Sequence, residues 1–138
     1  MSKKQKEKIL IGRREWVDFP ELNLYNIEAK IDTGAYTSAL HCENIYEQNN
    51  QLCFQIFKNS EPICTDEFEK KQIKNSFGDT EERYVIKTLM ILGKRKIRMA
   101  MSLTNREKMR CPLLLGRKAL KGKFIVDVQK IFLQKKSE

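Results

Sequence analysis

Tyr25, Ile27, Ala29 and Ile31 alternate with Asn26, Glu28, Lys30 and Asp32. A side-chain period of two belongs to an extended chain, so this run predicts a half-buried strand. The strand runs straight into Asp32-Thr33-Gly34-Ala35, where glycine lets the backbone turn closely around the carboxylate. The same period recurs downstream. Ile97, Met99, Met101 and Leu103 alternate with Lys96, Arg98, Ala100 and Ser102. The nearly all-apolar run from Tyr84 to Leu92 precedes them across Gly93-Lys94, which predicts a hairpin. Shorter strands are expected at Ile9 to Gly12, Ser38 to Ile45, Gln51 to Phe57 and Phe124 to Leu133, the last with Phe124, Val126 and Val128 on one face. Turns are signalled at Glu47 to Asn50, at Phe77-Gly78-Asp79 and at Thr104 to Lys108. Asn59 to Lys74 is polar, carries Pro62 and shows no clear period, which reads as a loop. Arg117 to Lys121 allows one or two helical turns, stopped by Gly122. Many short strands with little helix predict an all-β fold, a small closed barrel with one short helix near the C-terminus.

The 138 residues suit one domain over 9–138, preceded by a disordered basic tail over 1–8. No apolar run approaches the roughly 20 residues that span a bilayer. The stretch Ile9-Leu10-Ile11 is too short for a signal peptide, so a cytoplasmic protein without a membrane partner is expected. The four cysteines, Cys42, Cys53, Cys64 and Cys111, form no CxxC pair, and free, partly buried thiols are expected. The net charge is +9, with basic clusters at Lys3 to Lys8, Lys94 to Arg98, Arg106 to Arg110 and Arg117 to Lys123. Such a surface attracts nucleic acid, anionic membrane or acidic peptide. Aromatic residues are not interleaved with these runs, which argues against a base-stacking platform and against a nucleic-acid partner.

Asp32 is the candidate catalytic residue. Alone, the tripeptide also fits an aspartate capping a turn. A second segment, Leu114-Leu115-Gly116-Arg117, follows the 84–103 hairpin. That order resembles the retropepsins, in which a strand ends in DTGA, a flap and hairpin follow, and an apolar-apolar-Gly-Arg segment packs beneath the active site. A wider likeness covers Ile11 to Val17, Ala29 to Ala35, Thr37 to His41, Leu103 to Arg106 and Leu114 to Leu120. Through these residues the chain resembles a bacterial family of retropepsin-like aspartic peptidases whose members often carry the label "ATP-dependent zinc protease". The resemblance implies an acid-protease barrel, with Asp32 catalytic and Thr33, Gly34, Ala35, Leu114, Leu115 and Gly116 as active-site support. It also implies a link to ATP-grasp ligases that append glutamates to a ribosomal protein.

Neither zinc nor ATP is expected. The chain has one histidine, His41, and no HExxH. Neighbours on a strand point to opposite faces, so His41 and Cys42 make a poor ligand pair. No GxxxxGK loop is present. No metal or cofactor is therefore assigned. The chain holds a single Asp-Thr-Gly, whereas an aspartic peptidase needs two carboxylates sharing a proton. A homodimer with one Asp32 from each protomer is the expected assembly, with the terminal strand at 124–133 as one candidate interface. Long-range attraction would draw acidic peptides, such as polyglutamate tails, toward Arg106, Arg110 or Arg117. Tyr36 stands where retroviral enzymes place an aspartate that pairs with the arginine of the Gly-Arg segment, so Arg117 needs another partner. Two other readings remain open at this point: an inactive peptide-binding module of the same fold, and a basic RNA-binding barrel.

Overall fold

The computed structural model describes residues 7–74, 77–105 and 110–137. Among these, the strands are β1 (Ile9–Gly12), β2 (Arg14–Phe19), β3 (Leu24–Ile31), β4 (Ser38–His41), β5 (Glu43–Gln48), β6 (Gln51–Gln55), β7 (Ile63–Thr65), β8 (Phe68–Lys74), β9 (Thr80–Leu92), β10 (Arg95–Thr104), β11 (Leu113–Leu115) and β12 (Phe124–Asp127). One short helix, α1 (Arg117–Leu120), precedes β12, and a 3-10 turn spans Pro20–Leu22. Strands pair in the order β10-β4-β11-β3-β2-β9, and β9 pairs back onto β10, which closes a six-stranded barrel. The expected all-β barrel with one short helix near the C-terminus is the fold found.

Alternation along the strands fills this barrel. Ile27, Ala29 and Ile31 of β3 are buried while Lys30 is exposed, so the period of two seen in the sequence is the inside–outside period of the wall. Met90 and Leu92 of β9, Met99 and Met101 of β10, and Leu113 and Leu115 of β11 join them in the core. The β9–β10 hairpin pairs Leu92 with Arg95 across Gly93, whose φ of +60° suits a residue without a Cβ. Asn49 and Asn50 take φ values of 54° and 64° between β5 and β6, the double positive φ of a tight hairpin turn.

Four expectations need correction. Asn59 to Lys74 is not a loop. It contributes β7, which pairs with β6, and β8, which forms a long hairpin with β9. Five of the seven β8 residues are exposed and the other two only half-buried, so this arm carries no alternation to read. Ser38 to Ile45 is two strands rather than one, β4 in the barrel and β5 in a separate three-stranded sheet. The last strand stops at Asp127, whose carboxylate accepts the Gln129 N–H at 2.9 Å and whose carbonyl accepts the Lys130 N–H at 3.1 Å. That turn leaves Val128 exposed, off the face it was expected to share. Finally, Cys53 and Cys64 face each other across β6 and β7 with a Cα–Cα distance of 4.1 Å and form a disulfide. Only Cys42 and Cys111 are free, and both are buried.

The chain beyond β12 straps the barrel instead of extending it. Arg13 N–H donates to the Lys130 carbonyl and Phe132 N–H to the Arg14 carbonyl, both at 2.8 Å. Phe132 stacks on Trp16 with centroids 4.6 Å apart. Glu15, fully buried, anchors the strap: its carboxylate accepts N–H groups from Gly12, Leu133 and Gln134 at 2.7, 2.9 and 3.0 Å. A buried charge is tolerable when hydrogen bonds replace its water, and three backbone donors do so here.

Candidate active site

β3 carries the backbone into the wall of the barrel and releases it at Asp32, where the loop to β4 begins. β11 enters between the two strands that flank this loop, parallel to β3 and antiparallel to β4. Both edges of this three-residue strand are paired, and Leu113 and Leu115 are buried in the core while Leu114 on the other face is half-buried. It pins the loop directly, because Asp32 N–H donates to the Leu115 carbonyl at 2.8 Å.

Within the loop, Asp32 Oδ1 accepts the Gly34 N–H at 3.1 Å and the Asp32 carbonyl accepts the Ala35 N–H at 3.2 Å. These bonds orient the carboxylate, which is partly exposed, while leaving its second oxygen available. Thr33 and Gly34 are exposed beside it. Gly116 then touches the loop. A Cβ built on it would lie 2.5 Å from the Thr37 carbonyl oxygen and 2.7 Å from the Tyr36 carbonyl, distances that real Cβ atoms do not reach. Its N–H donates to Ser38 Oγ at 3.0 Å. Next, the Arg117 and Lys118 N–H groups donate to the carbonyls of Ala35 and Tyr36 at 2.8 and 2.9 Å. The DTGA loop and the Leu114-Leu115-Gly116-Arg117 segment, far apart in sequence, are thus one hydrogen-bonded unit.

Arg117 has found its partner. Its guanidinium donates to the Thr33 carbonyl at 2.9 Å and lies 5.8 Å from the Tyr36 ring centroid, over its face. Tyr36 therefore replaces the carboxylate expected to pair with this arginine by a cation–π contact. Of the other arginines expected near substrate, Arg110 lines a separate cleft with Trp16, His41 and Glu43, and Arg106 lies outside the described residues. Ser38, which ties Gly116 to the loop, was not singled out as a site residue. Its only sequence signal was its place in the Thr37-to-His41 likeness.

The donor set does not suit zinc. His41 Nε2 is 3.9 Å from Glu43, and the buried Cys42 thiol donates to the Leu40 carbonyl. Burial pushes the Cys42 thiol up, away from the thiolate form that would bind metal. Among the described residues no three His, Cys, Asp or Glu side chains are grouped to hold a metal ion. No helix of the described residues is long and apolar enough to cross a membrane.

Residues 10–137 match the family model described as RimB-like, retropepsin-like aspartic endopeptidase RimB. The chain belongs to the RimB-like family. Two similar relatives are each named probable alpha-L-glutamate ligase. One, from Parasynechococcus marenigrum, is 35% identical over 130 residues, covering 87% of this chain and 28% of that protein. The other, from Shewanella pealeana, is 36% identical over 135 residues, covering 91% of this chain and 30% of that protein. This RimB-like chain therefore spans less than a third of the curated relatives it matches. A solved structure, the Legionella pneumophila protein Lpg0085 of unknown function, superposes with a TM-score of 0.71 at 28% identity, covering 94% of this chain and all of that one.

Proposed function

We propose that the chain is one protomer of a homodimeric aspartic peptidase that cleaves acidic peptides, with glutamate-rich tails as the substrate class. The observation that carries this reading is the Asp32 loop: a partly exposed carboxylate, oriented by Gly34 and held from beneath by Leu115. The chain has one Asp-Thr-Gly, so the second carboxylate comes from a second copy related by a two-fold axis. The two-stranded sheet β1–β12 supports an interface there. Leu10 and Ile125 are register partners on it, 49% and 54% exposed.

Two carboxylates about 3 Å apart cannot both ionise. The charged Asp32 takes a proton from a water, which attacks the scissile carbonyl carbon. The protonated Asp32 of the other protomer donates its hydrogen bond to the carbonyl oxygen as negative charge develops there. The tetrahedral intermediate collapses as the C–N bond breaks and the leaving nitrogen takes a proton from the dyad. The ligase name of the relatives supports a substrate made of added glutamates, because this chain resembles a segment of proteins named for joining them.

The same name favours a second reading, a non-catalytic module that binds glutamate chains. Asp32→Asn separates the two. The peptidase reading expects cleavage of a glutamate-tailed peptide, followed by mass spectrometry, to vanish while circular dichroism and light scattering report the same fold and dimer. No cleavage by the wild type as a dimer favours the module, and equal cleavage by Asp32→Asn removes Asp32 from the chemistry.

A further inference from the structure

A cavity of about 500 Å³ lies beneath the β8–β9 arm, against β10 and α1. Its charged lining is cationic throughout: Lys71, Arg83, Lys87, Arg98, Lys118 and Lys123, with no aspartate or glutamate. Three of these are engaged elsewhere. Lys71 pairs with Glu69, Arg83 with Glu81, and Arg98 grips Glu21 at 2.7 and 3.0 Å. Lys87, Lys118 and Lys123 have no ion pair among the described residues. Like charges gathered around one hollow repel, which leaves the groove poised for anions. Its floor is apolar, with Ile97, Met99 and Ala119. Its volume falls within the roughly 300–1,000 Å³ typical of ligand sites.

The groove also adjoins the catalytic loop. Thr37 and Ser38 form part of its wall, and Lys118 is bonded through its own N–H to the Tyr36 carbonyl. Thr37, where the groove's wall meets the loop, lies five residues along the chain from Asp32.

We propose that this groove is the acidic specificity subsite, in which Lys87, Lys118 and Lys123 bind substrate carboxylates beside the scissile segment. The inference deepens the peptidase reading and rests on it for the word substrate. Its binding claim can be tested separately. Arg110 and Arg117 do not line this groove, and Arg106 lies outside the described residues.

The test uses full-length Asp32→Asn protein and a fluorescently labelled oligoglutamate peptide, with anisotropy as the readout. Combining Lys87→Gln, Lys118→Gln and Lys123→Gln is expected to weaken binding at least tenfold and to flatten its dependence on salt. A control combining Lys58→Gln, Lys94→Gln and Lys135→Gln, three exposed lysines outside the groove, removes the same net charge. It is expected to shift binding less than twofold. Equal losses in the two triple variants, or no loss in the first, would overturn the subsite. Tight, groove-dependent binding together with a wild type that cuts nothing upholds the subsite and refutes the peptidase.

Discussion

Replacing Gly116 by alanine strikes the point where the two halves of the site touch. The glycine has φ −90° and ψ 175°, ordinary extended backbone, so alanine meets no conformational penalty there. The obstacle is space. The new methyl would sit 2.5–2.7 Å from carbonyl atoms of Tyr36 and Thr37, which are backbone and have no rotamer to change. Overpacking a close contact costs about 1–3 kcal/mol. Parting the segments also stretches the bonds from Arg117 and Lys118 N–H to Ala35 and Tyr36, each worth about 1 kcal/mol net. The sum is about 3–5 kcal/mol, a large share of the roughly 5–15 kcal/mol that holds a domain together. Urea unfolding at one fixed protomer concentration measures it. Gly122→Ala is the control: φ is +78° and no atom lies within 4 Å of its Cβ, so only the left-handed backbone is penalised, at about 1–2 kcal/mol. If Gly116→Ala unfolds within about 0.5 kcal/mol of the wild type, the usual scatter of harmless surface changes, the close approach is not what locks the loop.

Glu15→Ala leaves three backbone N–H donors, one buried and two part-buried, without their acceptor and is expected to cost about 3–5 kcal/mol, while limited proteolysis should newly cut within residues 128–137. Paired Cys53→Ser and Cys64→Ser remove a bridge closing a short loop, an expected loss of about 3 kcal/mol that should match the effect of reductant on the wild type. Hydrogen bonds from Lys70 and Tyr84 hold the Glu47 carboxyl below the usual glutamate range, tying β5 to the β8–β9 arm. A lowered value in the folded state means this tie is fully present above the ordinary glutamate range and is lost as pH falls through the lowered value. Hydrogen exchange in β8 should therefore speed up on acidification, and Glu47→Gln should abolish most of that pH dependence.

The barrel wall was legible because its strands have one wet and one dry face. Ile27 to Ile31 and Ile97 to Leu103 carry that contrast in their order of residues, and both form strands, whereas Tyr25, expected on the same face as Ile27, is exposed. β8 does not: five of its seven residues are exposed and only Phe68 and Ile73 are half-buried, so Glu69, Lys70, Lys71 and Gln72 read as loop. The disulfide was hidden for the same reason, since Cys64 meets Cys53 only if residues 63–65 form a strand. Asp32 and the Leu114-to-Arg117 segment were visible as motifs. What joins them was not, because Asp32 N–H donates to the Leu115 carbonyl, Arg117 N–H to the Ala35 carbonyl and Gly116 N–H to Ser38 Oγ, and bonds made by backbone groups leave little residue signature. The cationic groove was equally invisible, since Lys71, Lys87, Lys118 and Lys123 come from separate elements.

A crystal structure of the dimer measures the central quantity, the separation between the two Asp32 carboxylates. A shared-proton pair requires about 3 Å between the nearest oxygens, with a two-fold axis passing between them. Asp32 side chains held far apart in every assembly the protein forms would mean that no such pair exists, and that the chain does not hydrolyse peptides in this way.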